Sequence, residues 1–123
     1  MRYLLDTHIF LWWLADDKKL LEKPRELIKN PDNQIFISVA SAWEMSIKSK
    51  IGKLSLKTTI HDCFEGSGFL VLDLLLTHVL ELDKLPPYHQ DPFDRILIAQ
   101  SKVENLILIS DDMKIKKYDI RTA

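Results

Sequence analysis

The sequence predicts an α/β fold, one three-layer α/β/α domain in which a central, mainly parallel sheet is covered by helices on both faces. Three observations predict it. Short apolar runs alternate with helix-length segments along all 123 residues. Runs such as Leu106-Ile107-Leu108-Ile109 are apolar without a break, the pattern of strands buried on both faces of a parallel sheet. A content of 46% hydrophobic and 28% charged residues, with only 3 Gly and 5 Pro, excludes a disordered or low-complexity chain. A chain this long buries roughly two-thirds of its unfolded surface, enough for one core, so residues 1–123 are expected to form a single domain.

Each element follows from local chemistry. Tyr3 to Leu5 reads as a strand closed by Asp6-Thr7, and Thr7 to Leu14 as a helix. Lys19 to Lys29 reads as a second helix with a break or fresh start at Pro24. The turn-rich Asn30-Pro31-Asp32-Asn33 precedes a buried strand over Gln34 to Ile37. Ser41 to Lys50 is helical and ends at Gly52. Thr59 to Glu65 is a weaker helix stopped by Gly66-Ser67-Gly68, after which Phe69 to Leu74 supplies a third strand. Thr77 to Lys84 returns to helix until Pro86-Pro87. Asp91 then opens a long helix to about Glu104, with Asp91 suited to the N-cap and Pro92 to the first helical position, where a missing N–H costs nothing. Leu106 to Ile109 is a fourth strand, and Tyr118 to Arg121 a short last one.

Bulk properties exclude several functions. With 17 basic and 18 acidic side chains, the net charge of −1 gives no general attraction for nucleic acid. A local excess of positive charge is confined to Lys48, Lys50, Lys53, Lys57, Lys114, Lys116 and Lys117. The lone Cys63 excludes an internal disulfide and a cysteine-rich zinc site, and a reducing cytoplasm is the expected setting. No run approaches the roughly 20 apolar residues that span a bilayer, so no membrane association is expected. There is no Gly-rich phosphate loop and no serine in a nucleophile elbow. His8, His61, His78 and His89 lack paired metal-ligand spacing and read as structural.

Carboxylates are the informative feature. In parallel sheets ligands bind beyond the carboxyl ends of the strands. That rule selects Asp6 after the first strand, Ser110 to Asp112 after the fourth, and Asp94 in the first turn of the long helix. Glu44 lies about one turn into the helix after the second strand, and helical side chains lean toward the N-terminus, hence toward the same edge. Singly, each acid has a duller role. Asp6 caps a helix, Ser41 with Glu44 has capping-box spacing, Asp94 complements a helix dipole, and Asp112 does so after a Ser110 cap. Together they would repel, because two carboxylates about 4 Å apart cost roughly 4 kcal/mol at an effective dielectric of 20, against capping gains of about 0.3–1 kcal/mol. A cation removes that penalty. All-oxygen ligation favours Mg²⁺ or Mn²⁺, and these ions suit phosphodiester hydrolysis.

The ordered set of Leu4-Leu5-Asp6-Thr7-His8, Ser38-Val39-Ala40-Ser41-Ala42-Trp43-Glu44-Met45-Ser46-Ile47-Lys48, Gly52-Lys53-Leu54, Leu85-Pro86, His89-Gln90-Asp91-Pro92-Phe93-Asp94-Arg95 and Ile109-Ser110-Asp111-Asp112 covers nearly the entire chain. It resembles the PIN-domain nuclease family, and within it the VapC-like toxins of bacterial toxin–antitoxin pairs. The resemblance implies a PIN-like fold, metal-dependent hydrolysis of RNA, and a toxin held inactive by a cognate antitoxin. It implies metal ligation by Asp6, Glu44, Asp94 and Asp112, directly or through water. Asp111 fills a variable position beside the last acid and leaves the choice between Asp111 and Asp112 open, and Ser101 stands where the family usually has alanine.

Thr7 and Ser110 adjoin two of the acids, and the family pattern has such hydroxyls orient carboxylates or water, with helix capping the competing role. Arg95 and Lys48 are candidate substrate contacts, against exposed ion pairing for Arg95 and an ordinary helix-face pair with Glu44 for Lys48. Trp12 and Trp13 are adjacent and cannot share one helical face. At least one is expected outside the core stripe, either packed against the next helix or, as the resemblance implies, at an interface with the antitoxin or with a second copy in a homodimer. Two other functions compete: a catalytically silent PIN-like interaction domain, and a phosphoacceptor signalling domain. The latter class wants two acids after its first strand, whereas Thr7 and His8 follow Asp6.

Overall fold

The computed structural model describes residues 1–123. Four parallel strands, β1 (Arg2–Leu5), β2 (Gln34–Ser38), β3 (Leu70–Leu72) and β4 (Ile107–Ile109), form one sheet in the order β3-β2-β1-β4. Helices α1 (Thr7–Leu14) and α2 (Glu22–Lys29) connect β1 to β2, α3 (Val39–Lys50) and α4 (Ile60–Ser67) connect β2 to β3, and α5 (Leu76–Leu82) and α6 (Pro92–Glu104) connect β3 to β4. None is long and apolar enough to cross a membrane.

The two-residue period of the strands divides the core. Tyr3, Leu5, Ile35, Ile37, Ile107 and Ile109 join Ile9 and Phe10 of α1 and Ile28 of α2 in one buried cluster. Leu4 and Leu108 lie in register on adjacent strands and enter the other cluster, with Ile96 to Ala99 of α6. Both faces are therefore covered, as the unbroken apolar strands predict. Helix α3 contributes to each, Ala40 to the second cluster and Met45 to the first, so it bridges the layers at the carboxyl end of β2.

Several boundaries shift for physical reasons. Ser38 ends β2 and also caps α3, its hydroxyl accepting from the Ala40 N–H at 3.0 Å, so strand passes into helix without a loop. That places Ser41 inside α3, where it meets Thr7 instead of starting the helix, and removes the expected Ser41–Glu44 capping box. Pro24 does not break α2, because the helix begins at Glu22 and Pro24 falls in its first turn, where N–H groups have no helical partner. The last strand is not Tyr118 to Arg121. Ile115–Lys117 form a 3-10 turn, Tyr118 is buried in the α6-side core, and pairing resumes at Thr122 beside Leu108.

Ser101 Oγ in α6 is buried and has no hydrogen-bond partner. An unpaired buried hydroxyl costs about 1–3 kcal/mol. Ser101→Ala is therefore expected to raise the melting temperature by several degrees, read by calorimetry on the metal-free protein.

Candidate metal centre

Each acid reaches the carboxyl edge of the sheet from a different element. Asp6 follows β1 and caps α1, its Oδ1 accepting from the Ile9 N–H at 3.1 Å. Its Oδ2 accepts from the Ser110 hydroxyl at 2.5 Å, a bond that ties the end of β1 to the end of β4. Asp6 is 2% exposed. Burial raises its pKa, the Ser110 and Ile9 hydrogen bonds and His8 oppose the rise, and Asp111 adds to it.

Glu44 comes from the second turn of α3 and is also buried. Its Oε2 pairs with the Lys48 ammonium one turn on, while its Oε1 is buried with no hydrogen-bond partner. A buried carboxylate oxygen left without a donor is costly unless a cation meets it. Lys48 is thus placed in the helix-face pair that competes with its substrate role. Its own pKa is lowered by burial but raised further by Glu44, Asp91 and Asp94, for a net upward shift. Lys48→Met is expected to cost the metal-free protein about 3 kcal/mol, since it leaves a buried charge unpaired, and Mg²⁺ should restore much of the loss. Urea melts with EDTA and with Mg²⁺ measure both.

Asp94 projects from the first turn of α6, whose N-cap Asp91 accepts from the Phe93 and Asp94 N–H groups at 2.8 and 3.1 Å. Burial first, then Asp91, Asp6 and Glu44, raise its pKa to about 7, against an opposing pull from His89. Three negative neighbours contribute to one shift, so the carboxylates converge electrostatically as well as in the fold. Asp112 is more exposed. Burial raises its pKa, but the Lys114 N–H, the His89 ring and the Ile115 N–H outweigh it and hold it below the usual range. Its Oδ1 accepts from Lys114 N–H at 2.8 Å, and its own N–H donates to Ser110 Oγ at 3.1 Å. Asp111 is exposed and makes no such link, so Asp112 is the better placed of the two.

The hydroxyls do join the site. Ser110 is the hub between Asp6 and Asp112, and Thr7 Oγ1 lies 2.8 Å from Ser41 Oγ, fastening α1 to α3 between Asp6 and Glu44. The Arg95 guanidinium donates to the carbonyls of Leu82, Leu85, Pro86 and His89 and to the Tyr118 hydroxyl, clamping the loop before α6.

One residue that the sequence reading leaves as structural enters the site. His89 Nε2 lies 2.8 Å from Asp94 Oδ2 and 2.9 Å from Asp112 Oδ2, and these three side chains place ligand-capable atoms within 4.8 Å of one another. The available signal was its place just ahead of Asp91-Pro92-Phe93-Asp94, where a loop must bring it back onto the helix mouth. The two tryptophans are both half-buried. Trp13 packs on Phe69, while Trp12 lies by His8 and lines a groove of about 880 Å³ that runs past Leu54 and Leu56 to Glu44 and Lys48. The exposed tryptophan is Trp43, edge-on to Phe93 at 5.1 Å between ring centres.

A parallel sheet whose carboxyl edge gathers Asp6, Glu44, Asp94 and Asp112 is the arrangement expected of a PIN-like domain. The chain belongs to the PIN domain family, whose family model matches residues 3–121. Solved structures agree on the fold. A chain of VapBC2 from Rickettsia felis, bound to a DNA fragment from its promoter, is 18% identical with a TM-score of 0.73 over 100% of this chain and 98% of that one. A chain of the DNA-bound VapBC from Salmonella typhimurium is 17% identical with a TM-score of 0.72, covering 100% and 97%. VapBC-1 from nontypeable Haemophilus influenzae gives 17% and 0.67, with the same coverage of 100% and 97%. No curated protein sequence matches the chain.

Proposed function

We propose that this PIN domain is a metal-dependent endoribonuclease and the toxin of a toxin–antitoxin pair. The observation that carries the reading is the buried Glu44 Oε1, unpartnered at an edge where Asp6 and Asp94 already have raised pKa values. An oxygen-only donor set of this kind fits Mg²⁺ or Mn²⁺. Asp6, Glu44 and Asp94 would hold the ion, with Asp112 beside them. When bound, such an ion lowers the pKa of a water and offsets charge on phosphoryl oxygens.

The chain's own groups do the remainder. Ser110 and the Ile9 N–H fix the Asp6 carboxylate, so its orientation is set before substrate arrives. Glu44 is held through its Oε2 by the Lys48 ammonium one turn on. The Lys48 ammonium, about one-third exposed beside Glu44, would be the chain's own means of meeting an RNA phosphate. Cleavage of an RNA mixture that needs Mg²⁺ or Mn²⁺ and stops in EDTA is the expected result; metal-independent or absent cleavage by well-folded protein counts against the reading.

The proposed partners are an antitoxin protein and a second copy, acting in the cytoplasm. The Trp12 groove leads to Glu44 and so suits an antitoxin segment that covers the acids. Trp12→Lys is expected to weaken antitoxin binding about 30-fold, roughly the 2 kcal/mol of an interface anchor, and to spare Mn²⁺ affinity. Self-association is assigned to α5, where Leu76, Val79 and Leu80 are exposed. Leu80→Asp should shift the mass measured by light scattering toward the monomer.

A further inference from the structure

We propose that His89 is a positioning residue of the acidic centre, its ring N–H held by Asp112 so that the ring stands against Asp94 without ligating the ion. This role rests on the metal-dependent reading above. The ring is held at three points. Its backbone N–H donates to the Tyr118 hydroxyl at 2.9 Å, and that hydroxyl donates to Pro86 O at 2.7 Å. Arg95 fastens the same loop from the other side through Pro86 O and His89 O. Nδ1 accepts from the Asp91 N–H at 3.1 Å.

That last bond decides the chemistry. A ring nitrogen that accepts a hydrogen bond carries no proton, so the proton of the neutral ring sits on Nε2. Nε2 is then a donor, and its hydrogen bond goes to Asp112 Oδ2 at 2.9 Å, while Asp94 Oδ2 lies 2.8 Å from the same nitrogen without being its hydrogen-bond acceptor. A nitrogen in that state has no lone pair for a metal. To ligate, the ring would have to move its proton to Nδ1 and give up the Asp91 N–H, which also belongs to the cap of α6. The geometry therefore makes His89 the spacer between two carboxylates and not a member of the donor set.

Asp112 is correspondingly engaged at both oxygens, Oδ1 by Lys114 N–H and Oδ2 by His89. It anchors the ring, and the anchored ring packs against Asp94 Oδ2 at 2.8 Å and limits where that carboxylate can stand. Residues that orient ligands in this way commonly change metal affinity by 10–100-fold when removed. A donor set free of nitrogen also favours Mg²⁺ and Mn²⁺ over Zn²⁺.

The test compares His89→Gln, whose amide N–H reaches about as far as Nε2, with His89→Met, of similar length and no donor. Mn²⁺ titration calorimetry is expected to show His89→Met about tenfold or more weaker than wild type and His89→Gln within about threefold of it. Equal Mn²⁺ affinity in the two variants, whether high or low, overturns the role. Nitrogen-15 spectra of the wild-type ring should show the proton on Nε2 both without metal and with Mg²⁺. In Mn²⁺-loaded protein, a directly coordinated nitrogen signal by electron spin echo spectroscopy that disappears in His89→Gln would make His89 a ligand and overturn the proposal. Wild-type protein that binds no Mn²⁺ overturns the metal-dependent reading and this role with it, whereas wild-type binding with matched variants removes the role alone.

Discussion

Asp94→Asn is expected to raise the melting temperature of the metal-free protein at pH 8 and to abolish stabilisation by Mg²⁺ or Mn²⁺. Both effects have one cause. The Asp94 carboxyl has an ordinary value of 3.8 when unfolded and about 7 when folded, chiefly through burial and then through Asp91, Asp6 and Glu44. Between those pH values the folded state holds a proton that the unfolded state has lost, so stability falls as pH rises and the benefit is gone above about pH 7. Asp6, also raised, acts in the same direction. Asp112 is held low and acts oppositely, but only in acid, where stability is lost as pH falls through its folded value. An amide at position 94 carries no charge to confine and removes most of the slope.

A bound cation reverses the slope, because the charged acid is then the favoured form. Metal at 100 times its Kd adds about 2.7 kcal/mol, which is about 10 °C in a domain of this size. Melting curves at pH 5 to 8, with EDTA and with Mn²⁺, are the measurement. A wild-type melting temperature that is flat with pH in EDTA and indifferent to saturating metal would contradict the shared acidic site.

Glu44→Gln is expected to reduce RNA cleavage on the order of 100-fold or more while the fold survives, the scale seen when one preorganised electrostatic group is deleted. The variant keeps side-chain shape and loses the charge that the buried Oε1 presents. Nor does it remove a helix cap, since Ser38 caps α3 and Glu44 lies in the second turn. Lys48 loses its partner but remains about one-third exposed and can turn to water. Cleavage assays beside circular dichroism decide the matter; full activity in the variant removes Glu44 from the site.

The architecture was legible because it depends on period and burial, which local residues report. Leu106 to Ile109 is apolar on both faces, and it is a strand packed on both faces. Asp91-Pro92 announces a helix start, and α6 begins there. The misread segments are those where tertiary partners override local signals. Tyr118 looks like a strand residue, yet its hydroxyl is the meeting point of His89, Arg95 and Pro86, which holds the chain off the sheet until Thr122. Ser41 looks like a cap because its use, Thr7, is 34 residues away. The gathering of the acids at one edge was legible, since the rule placing ligands beyond strand ends selects Asp6, Asp94 and Asp112 from topology, and the lean of helical side chains adds Glu44. His89 escaped it because a loop residue gains meaning only from where the loop is tied. The clamp made by Arg95 escaped it for the same reason, its acceptors being largely carbonyls that carry no side-chain signature.

The bond between Ser110 and Asp6 also has a consequence in time. It joins residues 104 apart, and the central strand β1 has as one neighbour β4, which is made about a hundred residues after it. At synthesis rates of about 5–20 residues per second, Asp6 spends several seconds without the hydroxyl that aims it. Contacts this distant close late in folding, after the helices between them have formed. A chain made only as far as α3 therefore carries Asp6 and Glu44 but neither Asp94 nor Asp112, and the centre we assign to RNA cleavage is unassembled at that stage of synthesis.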